Sequence, residues 1–435
     1  MAAVMIRPNE RDVVIQALRT GVVPVIGLHH IQVGRAGETK EMVRDIERVE
    51  NGRATVRFII GDYGSGKTFF LSLTKLIAME KGLVVASADL SPNRRLHGGS
   101  GQARALYAEL MQKLSTRTKP RGGALAGVVE RFVSGARDQA RQEKCAVERV
   151  IQSRLEELQE LVSGYDFALV VQRYWEAFEE CDEDKKAAAL RWLRGEYALK
   201  TEAREALGVR SIIDDDSVYD YLKLMAKFST LAGYKGLIIF LDEMVNLFKL
   251  THSQSRSQNY EQILHIVNDV HDGRIGHFGV FFGGTPEFLM DSRRGLYSYE
   301  ALRSRLAENT FAKDGLVDLS GPVIRLQSLT PNELYVLLVK LRHVYAGGKE
   351  QNYLVPDEAL EAFLSHCSQR VGDAYFRTPR NTIKAFLDLL AVLEQNPTAD
   401  WRQLIGGAQI EVDKPEPMDV EGIEGGESEL KEFRL

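Results

Sequence analysis

The sequence predicts an α/β fold: a parallel five-stranded sheet covered by helices, with a long helical insertion between the second and third strands and a C-terminal helical lid. Three observations predict it. Short apolar segments rich in β-branched residues alternate with stretches of helical periodicity. Two of those segments end in chemistry, one in a glycine-rich loop and one in paired carboxylates. About 145 residues of helical pattern separate the second strand from the third.

Taken in order, residues 9–19 and about 37–49 have helical periodicity and flank Gly21-Val-Val-Pro24 and Gly34-Arg35. Arg53-Ala-Thr-Val-Arg-Phe-Ile-Ile60 predicts the first strand. After it, Phe69, Phe70, Leu73, Leu76 and Ile77 recur at helical spacing up to a stop at Gly82. Leu83–Leu90 is the second strand. A helix over 102–115, Lys119-Pro-Arg-Gly-Gly123 and long charged helices through about 207 make up the insertion. Leu237–Leu241, His277–Phe282 and Pro322–Leu326 complete the sheet. Residues 330–396 read as helical, with stops at Gly347-Gly348, Pro356 and Pro397. The expected divisions are an N-terminal helical segment at 1–50 and a core at 51–328 carrying an insertion at about 102–215. A helical lid at 329–410 and a disordered acidic tail at 411–435 follow.

Between the first strand and its helix lies Gly61-Asp62-Tyr63-Gly64-Ser65-Gly66-Lys67-Thr68, a complete G-x-x-x-x-G-K-[ST] loop. Its glycines let successive backbone N–H groups turn inward on an anion, and the helix that follows presents its positive end. The pattern predicts a nucleoside triphosphate with magnesium. Lys67 is placed for the β- and γ-phosphates and the Thr68 hydroxyl for the metal. The second signal is Ile238-Ile-Phe-Leu-Asp242-Glu243, an apolar strand delivering two carboxylates where open α/β sheets bind ligands. Asp242 can complete the metal shell and Glu243 can deprotonate an attacking water.

Composition narrows the remaining classes. Three separated cysteines, Cys145, Cys181 and Cys367, have neither metal-ligand spacing nor an even disulfide count, which fits a reducing cytoplasm. No apolar run approaches the length of a membrane span, and no secretory h-region opens the chain. The scattered histidines offer no zinc motif. The net charge of −5 is uneven: from Glu411 onward the tail carries −6, leaving the body near neutral. Arg94-Arg95 and Arg117-Thr-Lys119-Pro-Arg121 have two open readings. They could form a loop touching nucleic-acid phosphates, or sit on a solvated surface, since acidic residues are interleaved through the insertion.

With these motifs in this order the chain resembles the AAA+ P-loop ATPases. The resemblance implies a sensor role for Thr285 and an arginine finger, acting on a neighbouring subunit's nucleotide, at Arg305 or Arg303. It also implies a lid arginine at Arg380 (with Arg377 a nearby competitor) and base packing near Val33, beside the loop residues through Phe69. The long insertion, with Leu-Asp-Glu-Met and Gly-Gly-Thr-Pro-Glu-Phe, is similar to the BrxD-like ATP-binding proteins of BREX phage-defence systems, themselves similar to origin-recognition and Cdc6-type ATPases. That similarity implies an oligomeric ATPase using ATP and Mg2+ to drive remodelling or loading on DNA. It also implies a helicase or other defence-system partner. The alternative is a slow nucleotide-gated switch or scaffold that recruits such a partner. The winged helix that origin-recognition proteins usually append is not expected, because about 35 residues follow Pro397.

Overall fold

Ala54–Gly61 (β1), Val84–Asp89 (β2), Leu237–Asp242 (β3), Phe278–Gly284 (β4) and Val323–Leu326 (β5) form one parallel sheet in the order β2-β3-β4-β1-β5. The computed structural model describes residues 6–312, 316–371 and 379–407. The expected acidic tail and Arg377 lie outside the described residues.

Helices cover both faces, so β3 and β4 are buried at every position and can be apolar throughout. Met42, Ile46, Phe70 and Leu71 pack on one face against Ile238, Phe240 and Phe281. The other face meets Tyr107, Phe228, Ile263 and the interior of the insertion. The register sets Asp89 beside Asp242 and Gly61 beside Leu326, so the chemical ends of the strands share one edge of the sheet.

Between β2 and β3 the chain forms helices from Gln102–Gln112 through Leu125–Glu143 and Gly164–Glu179 to Val218–Leu231. Trp192 packs edge-on against Phe167 and Tyr221 at their centre, and its Nε1 donates to Ser211 O at 3.0 Å. The helix expected over 102–115 stops at Gln112. Beyond it, Ser115 pairs antiparallel with Val85. The reason is the open side of β2: an edge strand presents unpaired N–H and C=O groups, and Ser115 satisfies them.

One buried charge sits in β1. Arg57 reaches Asp45 and Glu41 on the helix Ala36–Glu50 and donates to Leu319 O at 3.1 Å, Ser320 O at 3.2 Å and Gly321 O. Arg57 and Asp45 are both almost wholly inaccessible. The cluster clamps that helix, β1 and the approach to β5 together.

A second core holds the C-terminal helices. Helix Pro8–Arg19 contributes Val14, while helices Pro331–Tyr345, Asp357–Val371 and Pro379–Gln395 contribute Leu338, Phe363, Phe386 and Leu387. The helix Pro331–Tyr345 begins at a capping box made by Thr330 and Glu333. The first helix is tied down at both ends: Arg19 meets Asp388 at 3.0 Å, and Arg11 Nε donates to Tyr345 O at 2.7 Å. A short helix at Leu28–Ile31, which sequence periodicity did not anticipate, closes the gap toward the glycine loop.

Candidate functional site

Gly61 ends β1, and a Cβ there would stand 2.5 Å from Ser65 Oγ and 2.9 Å from Leu326 O. Only glycine allows the chain to turn over its neighbour strand at that point. Gly64 and Gly66 take left-handed backbone angles, φ +78° and +84°, and Gly66 caps the helix Lys67–Glu80. The loop thus curls around its own lysine: Lys67 Nζ donates to Gly61 O at 2.7 Å and Asp62 O at 2.9 Å. Burial lowers the Lys67 pKa, and the nearby Asp242 and Glu243 act against that shift.

The two sequence motifs meet across the sheet. Thr68 Oγ1 donates to Asp242 Oδ2 at 2.9 Å, and the other oxygen, Oδ1, accepts the backbone N–H of Glu243 at 2.9 Å. The Asp242 carboxylate has room only because β4 carries glycine beside it. A Cβ on Gly283 would lie 2.3 Å from Asp242 Oδ1 and 2.8 Å from Leu71 Cδ1.

Glu243 is held in a left-handed conformation at φ +58°. For an L-residue with a long side chain this costs about 1–2 kcal/mol. The turn is fixed from both sides, by Met244 N donating to Gly283 O at 3.0 Å and by Asn246 Nδ2 donating to Leu90 O at 2.8 Å. Burial raises the Glu243 pKa above the ordinary value, and Asp242 raises it further against the opposing field of Lys67.

Val33, Tyr63, Gly64, Ser65, Gly66, Lys67, Thr68, Phe69, Glu243 and Arg380 line one cleft between the glycine loop, the N-terminal segment and the lid. Arg380 enters from the start of the lid helix Pro379–Gln395, packs its stem on Gly21 and donates from Nη1 to Tyr63 OH at 3.4 Å. Val22, Val23, Leu329, Leu337 and Ile383 make the opposite wall apolar.

The remaining expected residues stand elsewhere. Thr285 caps the helix Pro286–Met290, its hydroxyl accepting the Phe288 N–H at 3.5 Å, and it is not part of the cleft lining. Arg303 and Arg305 lie on the helix Glu300–Arg305 outside the cleft. Arg303 faces Glu300 at 3.7 Å, and Arg305 Nη1 donates to Ala301 O at 2.9 Å. Both are exposed.

Sequence reasoning placed Arg35 with Val33 and Gly34 in a base-packing segment and missed its contact with the glycine loop. Held at φ +57°, Arg35 sends Nη2 to Ser65 O and to Gln327 O (3.1 Å), bracing the glycine loop from behind. Its Nη1 and the Ser65 hydroxyl are buried in the same cleft without a protein partner. Two orphaned polar groups, a cationic lysine and a glycine cradle fit an anionic phosphate chain, and Thr68 with Asp242 fits a hard divalent cation with oxygen ligands. The Gly34-Arg35 pair was the available signal, but nothing in the sequence shows that the arginine reaches a loop thirty residues on.

A parallel sheet of this strand order, with a glycine loop ending its fourth strand in space and a carboxylate pair at the end of β3, defines an AAA+-like P-loop NTPase. Within that class the chain belongs to the family described as BREX system ATP-binding protein BrxC/D, which matches residues 6–409. Among curated proteins no match was found. No helix among the described residues is long and apolar enough to cross a membrane.

Proposed function

We propose that this protein is an oligomeric, cytoplasmic ATPase that couples ATP binding and hydrolysis to remodelling or loading on DNA in bacterial anti-phage defence. The observation that carries the reading is the 2.9 Å hydrogen bond between Thr68 and Asp242, which joins the two motif ends with Glu243 alongside. Membership of a BREX-system family of ATP-binding proteins supports the ligand and the setting.

ATP with Mg2+ would supply the phosphoanhydride to be cleaved and the cation that neutralises its charge. In this reading the Asp62–Gly66 loop, Lys67 and Arg35 hold the phosphates, while Thr68 and Asp242 hold the cation. Glu243 accepts a proton from the attacking water, a task suited by a raised pKa. Val33, Tyr63 and Phe69 pack the nucleoside, Arg380 acts from the lid, and Thr285 orients the reacting end. Arg305, with Arg303 as its competitor, is supplied by a neighbouring copy. Their exposure outside the cleft of their own chain supports that assignment. A helicase or other defence-system protein is the fitting partner.

Steady-state ATPase rates with and without duplex DNA test the proposal. DNA is expected to raise turnover by about tenfold or more, and Lys67→Ala to abolish nucleotide binding. Turnover near background that ignores DNA would overturn the motor and leave the slow nucleotide-gated switch.

A further inference from the structure

The segment after the first insertion helix makes a braced turn at the free edge of the sheet. Ser115 N donates to Val85 O at 2.7 Å and Ser115 O accepts from Val85 N at 3.0 Å. Thr116 N donates to Lys119 O at 3.2 Å and Lys119 N to Thr116 O at 3.0 Å, closing a two-residue turn over Arg117 and Thr118. The returning chain is anchored by Gly123 N on Gln112 O and Ala124 N on Leu114 O, both at 2.8 Å. This is a fixed platform, not a slack loop.

Its surface is cationic. Arg117, Lys119 and Arg121 are all exposed, and none forms an ion pair with another of the described residues. The carboxylate of the preceding helix, Glu109, is already neutralised by Arg94 at 3.1 Å and Lys113 at 2.7 Å. No large apolar side chain is exposed between residues 113 and 124. A membrane-surface site needs such an apolar wedge, and a protein interface needs a buried anchor. Free cations on a rigid turn with neither are suited to a phosphate backbone.

We propose that Arg117, Lys119 and Arg121 form a docking point for the phosphate backbone of duplex DNA. The proposal rests on the DNA-associated reading above and names where that contact is made. Arginine and lysine contacts of this kind position a duplex without reading its sequence. Val85 stands near the start of β2, and the Ser115 rung is antiparallel, so the turn points away from the Asp89–Asp242 end of the strands. DNA held there lies across the sheet from the ATP cleft.

The test is binding of a random-sequence duplex, with a non-hydrolysable ATP analogue present, between about 50 and 200 mM salt. The variant Arg117→Gln/Lys119→Gln/Arg121→Gln is compared with Arg149→Gln/Lys200→Gln/Arg204→Gln, which removes equal charge from exposed positions elsewhere that have no ion pair among the described residues. The expected result for the turn variant is a log–log salt slope shallower by about 2 to 3, since each lost contact removes about 0.9. Analogue binding should be retained by both variants, and the control should keep the wild-type slope. Wild-type binding with an unchanged slope in the turn variant overturns the docking point but not the DNA reading. Equal losses in both variants likewise overturn it. A wild-type protein that binds no duplex overturns both this proposal and the DNA part of the function.

Discussion

At the scale of single residues, Glu243 combines a left-handed backbone with a carboxyl group whose pKa burial raises. An acid with a raised folded-state pKa stabilises the fold at low pH, and that contribution is lost as pH rises through the folded pKa. Glu243→Gln should therefore unfold at a higher temperature than wild type at neutral pH. The difference should vanish as pH falls below the ordinary glutamate value. Turnover responds in the opposite sense: a general base must be ionised, so the acid limb of the kcat/KM profile should lie above the ordinary glutamate value. The same variant should lose about 10²–10⁴ in kcat. A variant with unchanged turnover would remove Glu243 from the chemistry. Thermal melts and a pH–rate profile supply both measurements. Asp242 and Glu243 were legible in the sequence because a strand end delivers them together. Gly283 was not: its role is to leave space for a carboxylate on the neighbouring strand, a contact set by register rather than by any local pattern.

At the scale of elements, Arg57 decides how the helix Ala36–Glu50 is fixed to the sheet. The strand around it was legible from its β-branched residues, yet nothing local to the strand shows what its arginine meets. Its partners Asp45 and Glu41 sit on a different element, and no spacing rule links them. Breaking a buried pair leaves an uncompensated charge, so Asp45→Ala should cost about 3–5 kcal/mol. Arg48 also meets Asp45, at 2.9 Å, but from the exposed side, and Arg48→Ala should cost less than about 1 kcal/mol. Chemical unfolding midpoints compare the two, and equal losses would show that burial is not what makes this cluster matter. Ser115 teaches the same lesson as Arg57. Helical periodicity ran to 115, but an unfinished sheet edge took the residue for pairing.

At the scale of the whole molecule, the proposed site spans two copies. Arg305→Ala should keep ATP binding and assembly while lowering turnover by about 10³-fold. Mixing it with Lys67→Ala subunits should restore part of the activity, because each variant supplies what the other lacks. Normal turnover by Arg305→Ala alone would move the finger to Arg303 or remove it, and a mixture no more active than its components would count against action across two copies. The number of strands and the length of the insertion were legible at this scale, since both follow from where apolar runs fall along the chain, whereas the spatial order β2-β3-β4-β1-β5 was not. The lid's composition was not. Helical periodicity identifies helices, but it does not say that the first one belongs with the last.

That pairing bears on synthesis. Arg19 finds Asp388 across 369 residues of chain. At about 5–20 residues per second, the first helix waits on the order of 20–70 s for the partner that covers its apolar face. Through that interval Val14 and its neighbours lack the core that buries them in the finished fold.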